Sequence, residues 1–163
     1  MDNRLLIASD LHNTLLCSSE AWERAFFELS GCDQAMIKGA LTSKYSRHQL
    51  AADLELSYDD VYNRYSELVK AKANVVSVIA LLQRHYAVVL ISSASMARIE
   101  RDITKIPPSI RFDRIYSKET FQKSLPSDWE KLRVEFGADK ILYFGNDPGE
   151  DVPPVDFVQT VLV

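Results

Sequence analysis

Two short stretches of this chain concentrate the side chains that can do chemistry. The first is Asp10-Leu11-His12-Asn13-Thr14, where a carboxylate, an imidazole, an amide and a hydroxyl follow the apolar run Leu5-Leu6-Ile7-Ala8. A carboxylate can act as a nucleophile, and an imidazole can give and take a proton near neutral pH. The second is Gly145-Asn146-Asp147-Pro148-Gly149-Glu150-Asp151, which places three acids within five residues. Like charges so close raise one another's pKa, so all three ionise together only beside a cation. A hard divalent ion such as magnesium would resolve the repulsion, since it takes oxygens from one or two carboxylates and keeps some of its waters. Each stretch alone also reads as an ordinary polar turn. What sets them apart is that both directly follow an apolar run of strand length.

An Asp at the carboxyl end of a strand sits where open α/β sheets place their ligands, in the crevice outside the strand ends. The spacing predicts the elements that would build such a sheet. Strands are expected at the run before Asp10, at Tyr86–Ile91, at Ile115-Tyr116, at Ile141–Phe144 and at Val158–Val163. Helices alternate with them: Val75 to about His85, a helix capped by Ser95 that carries Met96, Ile99 and Ile103 and that Pro107-Pro108 must end, and Asp128–Phe136 closed by Gly137. This alternation predicts a Rossmann-like, doubly wound parallel α/β sheet of five core strands with right-handed crossovers.

Residues 17 to 71 break the alternation. Trp22, Ala25, Phe26 and Leu29 share a helical face, with Ser18 or Ser19 as cap and Gly31 as stop; further helices start after Asp33, at Ser46 and at Ser57. Several helices in a row exceed what one crossover needs, so this region reads as an inserted all-helical cap. The remaining residues, 1–16 and 72–163, form the core domain.

The pattern Asp-x-x-x-Thr-Leu of Asp10, Thr14 and Leu15 resembles the first motif of the haloacid dehalogenase-like superfamily, whose usual form is Asp-x-Asp-Gly-Thr. Here His12 stands at the second Asp and Asn13 at the Gly. Gly145-Asn146-Asp147, with Asp151 four residues later, is similar to that superfamily's fourth motif. Between the two, the family places a Ser or Thr after the second core strand, where this chain offers Ser92 and Ser93. It also places a Lys before the last crossover helix, where Lys123 stands, with Lys118 as the other candidate. The resemblance spans residues 10 to 151.

That resemblance implies a magnesium-dependent phosphohydrolase acting on a small phosphorylated substrate. Asp10 would be the nucleophile and form an aspartyl-phosphate. Asp10, the His12 backbone carbonyl, Asp147 and Asp151 would surround the metal, and Ser92, Ser93, Lys123, Asn13 and Thr14 would bind phosphate. His12 would take the general acid and base role of the family's second Asp. Members lacking that Asp include enzymes of other reaction types, so phosphotransfer, dehalogenation and a catalytically silent binding protein stand as alternatives. Asn13 can replace Gly because Asn tolerates positive φ best after Gly. Arg24, Lys44, Tyr45 and Arg47 are candidate substrate contacts from the cap, whereas His48 and His85 read as structural or surface residues.

Composition narrows the partners. At 163 residues and 47% hydrophobic, the chain suffices for one well-packed domain with a small insertion. A formal charge of −4 without a basic run argues against a nucleic-acid surface. Cys17 and Cys32 lack metal-ligand spacing and point to a reducing, cytoplasmic setting. No run has the form of a signal peptide or reaches membrane-spanning length. Neither the oligomeric state nor the substrate's identity follows from these features.

Overall fold

A computed structural model describes residues 4–43 and 45–163. The chain divides into two compact units, one holding the residues up to Leu16 and from Ala71 onward, the other Cys17–Lys70.

The first unit is built on five strands, β1 (Leu5–Ser9), β2 (Val88–Ile91), β3 (Arg114–Tyr116), β4 (Lys140–Gly145) and β5 (Val158–Leu162), all parallel in the order β3-β2-β1-β4-β5. Side chains alternate across a strand, and here both faces are buried. One face carries Leu6, Ala8, Val89, Ile91, Ile141 and Tyr143, packed with Trp129 and Leu132. Ile7, Val88 and Leu90, of opposite parity, are fully buried as well. The architecture is therefore a Rossmann-like α/β fold with a fully parallel sheet.

The strand order decides where a site can form. The chain lays β2 and β3 on one side of β1, then crosses to lay β4 and β5 on the other. Loops leaving β1 and β4 consequently diverge and open a crevice at the switch point. Register fixes which residues meet there. Ser9 pairs with Phe144 and with Leu90, so Asp10, Gly145 and the residues after Ile91 leave the sheet at one level.

The helices of the second unit are α1 (Ser18–Ser30), α2 (Gln34–Thr42), α3 (Arg47–Asp53) and α4 (Tyr58–Leu68). The side chains of Asp33, Ser46 and Ser57 each accept the backbone N–H three residues on, at 3.1, 3.1 and 3.4 Å. Gly31 ends α1 at φ 66°, a left-handed conformation that glycine takes without a Cβ penalty. Trp22 is fully buried and stacks on Tyr65 of α4, with centroids 4.2 Å apart and planes 13° off parallel.

In the first unit, α5 (Ala73–Leu82) precedes β2, α6 (Met96–Asp102) follows it, and α7 (Pro126–Glu135) precedes β4. Three caps differ from the sequence expectation. Cys17, not Ser18 or Ser19, precedes α1, because Ser18 is drawn in as a buried first helical residue. Ser95 makes no side-chain cap bond; the Glu119 carboxylate accepts the Met96 N–H instead, at 3.3 Å. α7 begins at Pro126 rather than Asp128, since proline's fixed φ and missing N–H suit a first helical position.

Candidate active site

The loop after β1 is tied to β4 before any side chain acts. The Asp10 N–H donates to the Phe144 carbonyl at 2.8 Å, which holds Asp10 at the switch point with only 6% of its surface exposed. Asn13 then turns the chain at φ 62°, the conformation its residue type tolerates. Its carbonyl accepts the Lys72 ammonium. The Thr14 hydroxyl lies 3.3 Å from Asp10 Oδ2 and 3.2 Å from Asn146 Oδ1, so it links the loop after β1 to the loop after β4.

Lys123 is the cation of the site. Its ammonium donates to Asp10 Oδ1 at 2.9 Å and to Asp151 Oδ1 at 2.7 Å, and all three groups are buried. The Lys123 carbonyl accepts the Trp129 indole N–H at 2.7 Å, which anchors the loop to the first turn of α7. Lys118 is exposed and does not reach these carboxylates.

Asp151 is occupied on both oxygens. Oδ1 accepts Lys123 and the Tyr143 hydroxyl at 2.7 Å each, and Oδ2 accepts the backbone N–H groups of Asn146 and Asp147 at 2.9 and 3.0 Å. It therefore ties the loop after β4 to its strand and to Lys123, a different part from the metal ligand the sequence suggested. Gly145 makes room for it: a Cβ there would lie 2.4 Å from the Asp151 Cβ. Asp147 is exposed and accepts the Gly149 N–H on Oδ1 at 2.7 Å.

Burial sets the electrostatics. It pushes the Asp10 carboxyl above its ordinary value, against the opposing pull of Lys123. It also works against the charge on Lys123 and Asp151, but there the ion pair and hydrogen bonds prevail, raising the Lys123 pKa and lowering that of Asp151. Burial pushes the Tyr143 phenol up, and the nearby carboxylates add to this, so it stays a donor.

His12 is held from the side. Its Nε2 lies 2.8 Å from Asp102 Oδ2, with His12 15% exposed at the side chain and Asp102 only 1%. Sequence reasoning missed Asp102. The available signal was an acid three residues after the buried Ile99, on the inward face of α6. Tyr143 was missed too, because within a continuous apolar strand it looks like any other core residue.

Both candidate serines lie at the carboxyl end of β2. Ser92 is buried and its hydroxyl accepts the Ala94 N–H at 3.2 Å; Ser93 is exposed and lines a cleft of about 530 Å³ with Lys118, Gln122, Lys123, Ser124 and Glu150. Of the residues suggested as substrate contacts, Arg24 pairs with Glu28, the Tyr45 hydroxyl donates to Asp53, and the Arg47 guanidinium lies 5.0 Å over the Trp22 ring. Lys44 lies outside the described residues. His48 stacks on Tyr58 at 3.6 Å.

No family model and no curated relative matches the sequence. Solved structures match its fold. A hydrolase from Streptococcus pneumoniae TIGR4 is 18% identical, with a TM-score of 0.75 over 100% of this chain and 94% of that one. A haloacid dehalogenase-like family hydrolase from Xanthomonas campestris is 20% identical, with a TM-score of 0.62 over 99% and 88%. A HAD family hydrolase from Deinococcus radiodurans R1, with bound phosphate and sodium, is 13% identical, with a TM-score of 0.65 over 90% and 74%.

The fold is that of the haloacid dehalogenase-like hydrolases. Of the acids here that could take part in holding a cation, Asp10 is buried and Asp147 is exposed. Among the described residues no three His, Cys, Asp or Glu side chains are grouped to hold an ion by themselves. Also among the described residues, no helix is long and apolar enough to cross a membrane.

Proposed function

We propose that this protein is a phosphohydrolase that removes phosphate from a small phosphorylated compound. The observation that carries this reading is the buried Lys123, whose ammonium reaches Asp10 at a sheet switch point while Asp151 holds it from the other side. A nucleophilic carboxylate needs to be kept oriented and its phosphate partner's charge offset, and a fixed cation does both.

In this reading Asp10 attacks phosphorus and becomes an aspartyl-phosphate as the leaving oxygen departs. His12 gives a proton to that oxygen, then takes one from the water that releases phosphate. Lys123 binds a phosphoryl oxygen. So does Ser92, whose hydroxyl proton is not used by the bond it accepts from Ala94. Ser93 and the backbone amides of Asn13 and Thr14 complete the phosphate site. Asp10, the His12 carbonyl and Asp147 would hold magnesium, which when bound neutralises charge between nucleophile and phosphate. Asp151 acts by positioning Lys123. The helical unit of Cys17–Lys70 is assigned the part of an inserted cap, and the choice of substrate is assigned to it.

Phosphate held by the Deinococcus radiodurans hydrolase of the same fold supports the substrate class. The test is a panel of phosphate esters assayed with and without magnesium, for wild type and Asp10→Asn. Turnover that requires magnesium and disappears in Asp10→Asn is expected. Activity surviving a chelator would point instead to dehalogenase-type chemistry. No turnover on any ester, with magnesium still bound, would mean a silent binding protein.

A further inference from the structure

Among the described residues, the buried Asp102 has no part in the chemistry proposed above. Asp102, the last residue of α6, is 1% exposed, and its Oδ2 meets His12 Nε2 at 2.8 Å across 90 positions of sequence. Arg98, one turn earlier on α6, donates from Nε to the same oxygen at 3.4 Å. A buried carboxylate is costly unless paired and hydrogen-bonded, and His12 and Arg98 are among the groups that pair with this one. His12, for its part, stands between the nucleophile Asp10 and the turn residue Asn13, on a loop whose backbone is fixed at Asp10 and at Asn13.

We propose that Asp102 is a positioning residue of the active site: it holds the His12 ring by Nε2, so that Nδ1 is the nitrogen that exchanges a proton with substrate. The inference rests on the phosphohydrolase reading. Among the described residues Nδ1 makes no hydrogen bond. A carboxylate accepts only, so the bond to Asp102 requires the proton on Nε2 and leaves Nδ1 as the exchanging atom. During the first transfer, Asp10 forms its bond to phosphorus, the bond from phosphorus to the leaving oxygen breaks, and the Nδ1 proton passes to that oxygen. In the second, water attacks the aspartyl-phosphate phosphorus, its proton goes to Nδ1, the bond to Asp10 breaks, and phosphate leaves. The Nε2 proton stays with the ring throughout. A longer imidazole with a lateral anchor thereby replaces a shorter carboxylic acid at the same loop position.

Two measurements test this. Nitrogen-15 NMR of His12 in the wild-type protein, with the ring neutral, should find the ring proton on Nε2. In Asp102→Ala the two tautomers should approach their ratio in free histidine, and in Asp102→Asn, whose amide can donate to Nε2 as well as accept from it, the preference for the Nε2 proton should weaken too. A ring protonated on Nδ1 in the wild type overturns the proposal, whether or not any ester is turned over. Failure to turn over any ester would sink the phosphohydrolase reading alone.

The kinetic arm compares kcat/KM for an alkyl phosphate and for p-nitrophenyl phosphate, whose leaving group needs no proton. Asp102→Ala is expected to lose about 10- to 100-fold on the alkyl ester, by analogy with the partners that orient metal-bound histidines, and much less on the aryl ester. In a His12→Ala background the same substitution should change neither rate. Equal losses on both esters, or losses that add to those of His12→Ala, would show that Asp102 only supports the fold.

Discussion

Lys123, Asp10 and Asp151 form a buried triad of one cation and two carboxylates, and the three residues do not share its energy equally. Removing the cation leaves two buried acids facing each other, so Lys123→Met should destabilise the protein by about 3–5 kcal/mol, read as a fall in the thermal unfolding midpoint. Removing Asp10 has the opposite sign. Its folded-state pKa is raised above 3.8, so its contribution to stability is fully present below that value and lost as pH rises through the folded pKa. In metal-free buffer Asp10→Asn should therefore melt above wild type at neutral pH, and the gap should close in acid, where wild-type Asp10 is also protonated. A lower midpoint for Asp10→Asn at neutral pH would contradict this. Gly145 is set by space rather than charge. A methyl group there would overlap the Asp151 side chain, so Gly145→Ala should cost about 1–3 kcal/mol and displace Asp151, visible as loss of activity together with stability.

The helices of the second unit are short, seven to thirteen residues, and such helices are marginal in water on propensity alone. An aromatic cluster holds α1 on α4. Trp22 of α1 contacts Phe26 within α1 and Tyr58, Tyr62 and Tyr65 of α4, at ring separations from 4.2 to 6.2 Å. Trp22→Ala should cost about 3–5 kcal/mol. Circular dichroism should show helical signal lost at a lower temperature than in wild type, and an unchanged melt would mean the cluster is not what holds α1 on α4.

The strand order β3-β2-β1-β4-β5 makes the site a property of the whole sheet, since its acids arrive from strands separated by more than 120 residues. An ion held by Asp10 and Asp147 would bind the folded chain and not the unfolded one. Magnesium at about 100 times its Kd should then raise stability by about 2.7 kcal/mol, seen as an upward shift in the thermal midpoint. Asp147→Asn should abolish the shift while leaving the metal-free midpoint within error, because Asp147 is exposed. A shift that persists in Asp147→Asn would place the ion elsewhere.

The sequence by itself determined the features whose causes are local. Strand and helix order followed from apolar spacing, and the caps at Asp33, Ser46 and Ser57 from a side chain and an amide three residues apart. Asn13 was expected at positive φ because that preference belongs to the residue, and Gly31 marked its helix end for the same reason. Such signals reach about one turn. The tertiary structure alone decided which groups meet: that Lys123 lies between Asp10 and Asp151, that Asp151 spends all its hydrogen bonds within the protein, and that His12 is anchored by Asp102. Lys123 lies 113 residues from Asp10 and 28 from Asp151, and His12 lies 90 from Asp102. Their meeting depends on the order and register in which five strands pair, which no local spacing encodes.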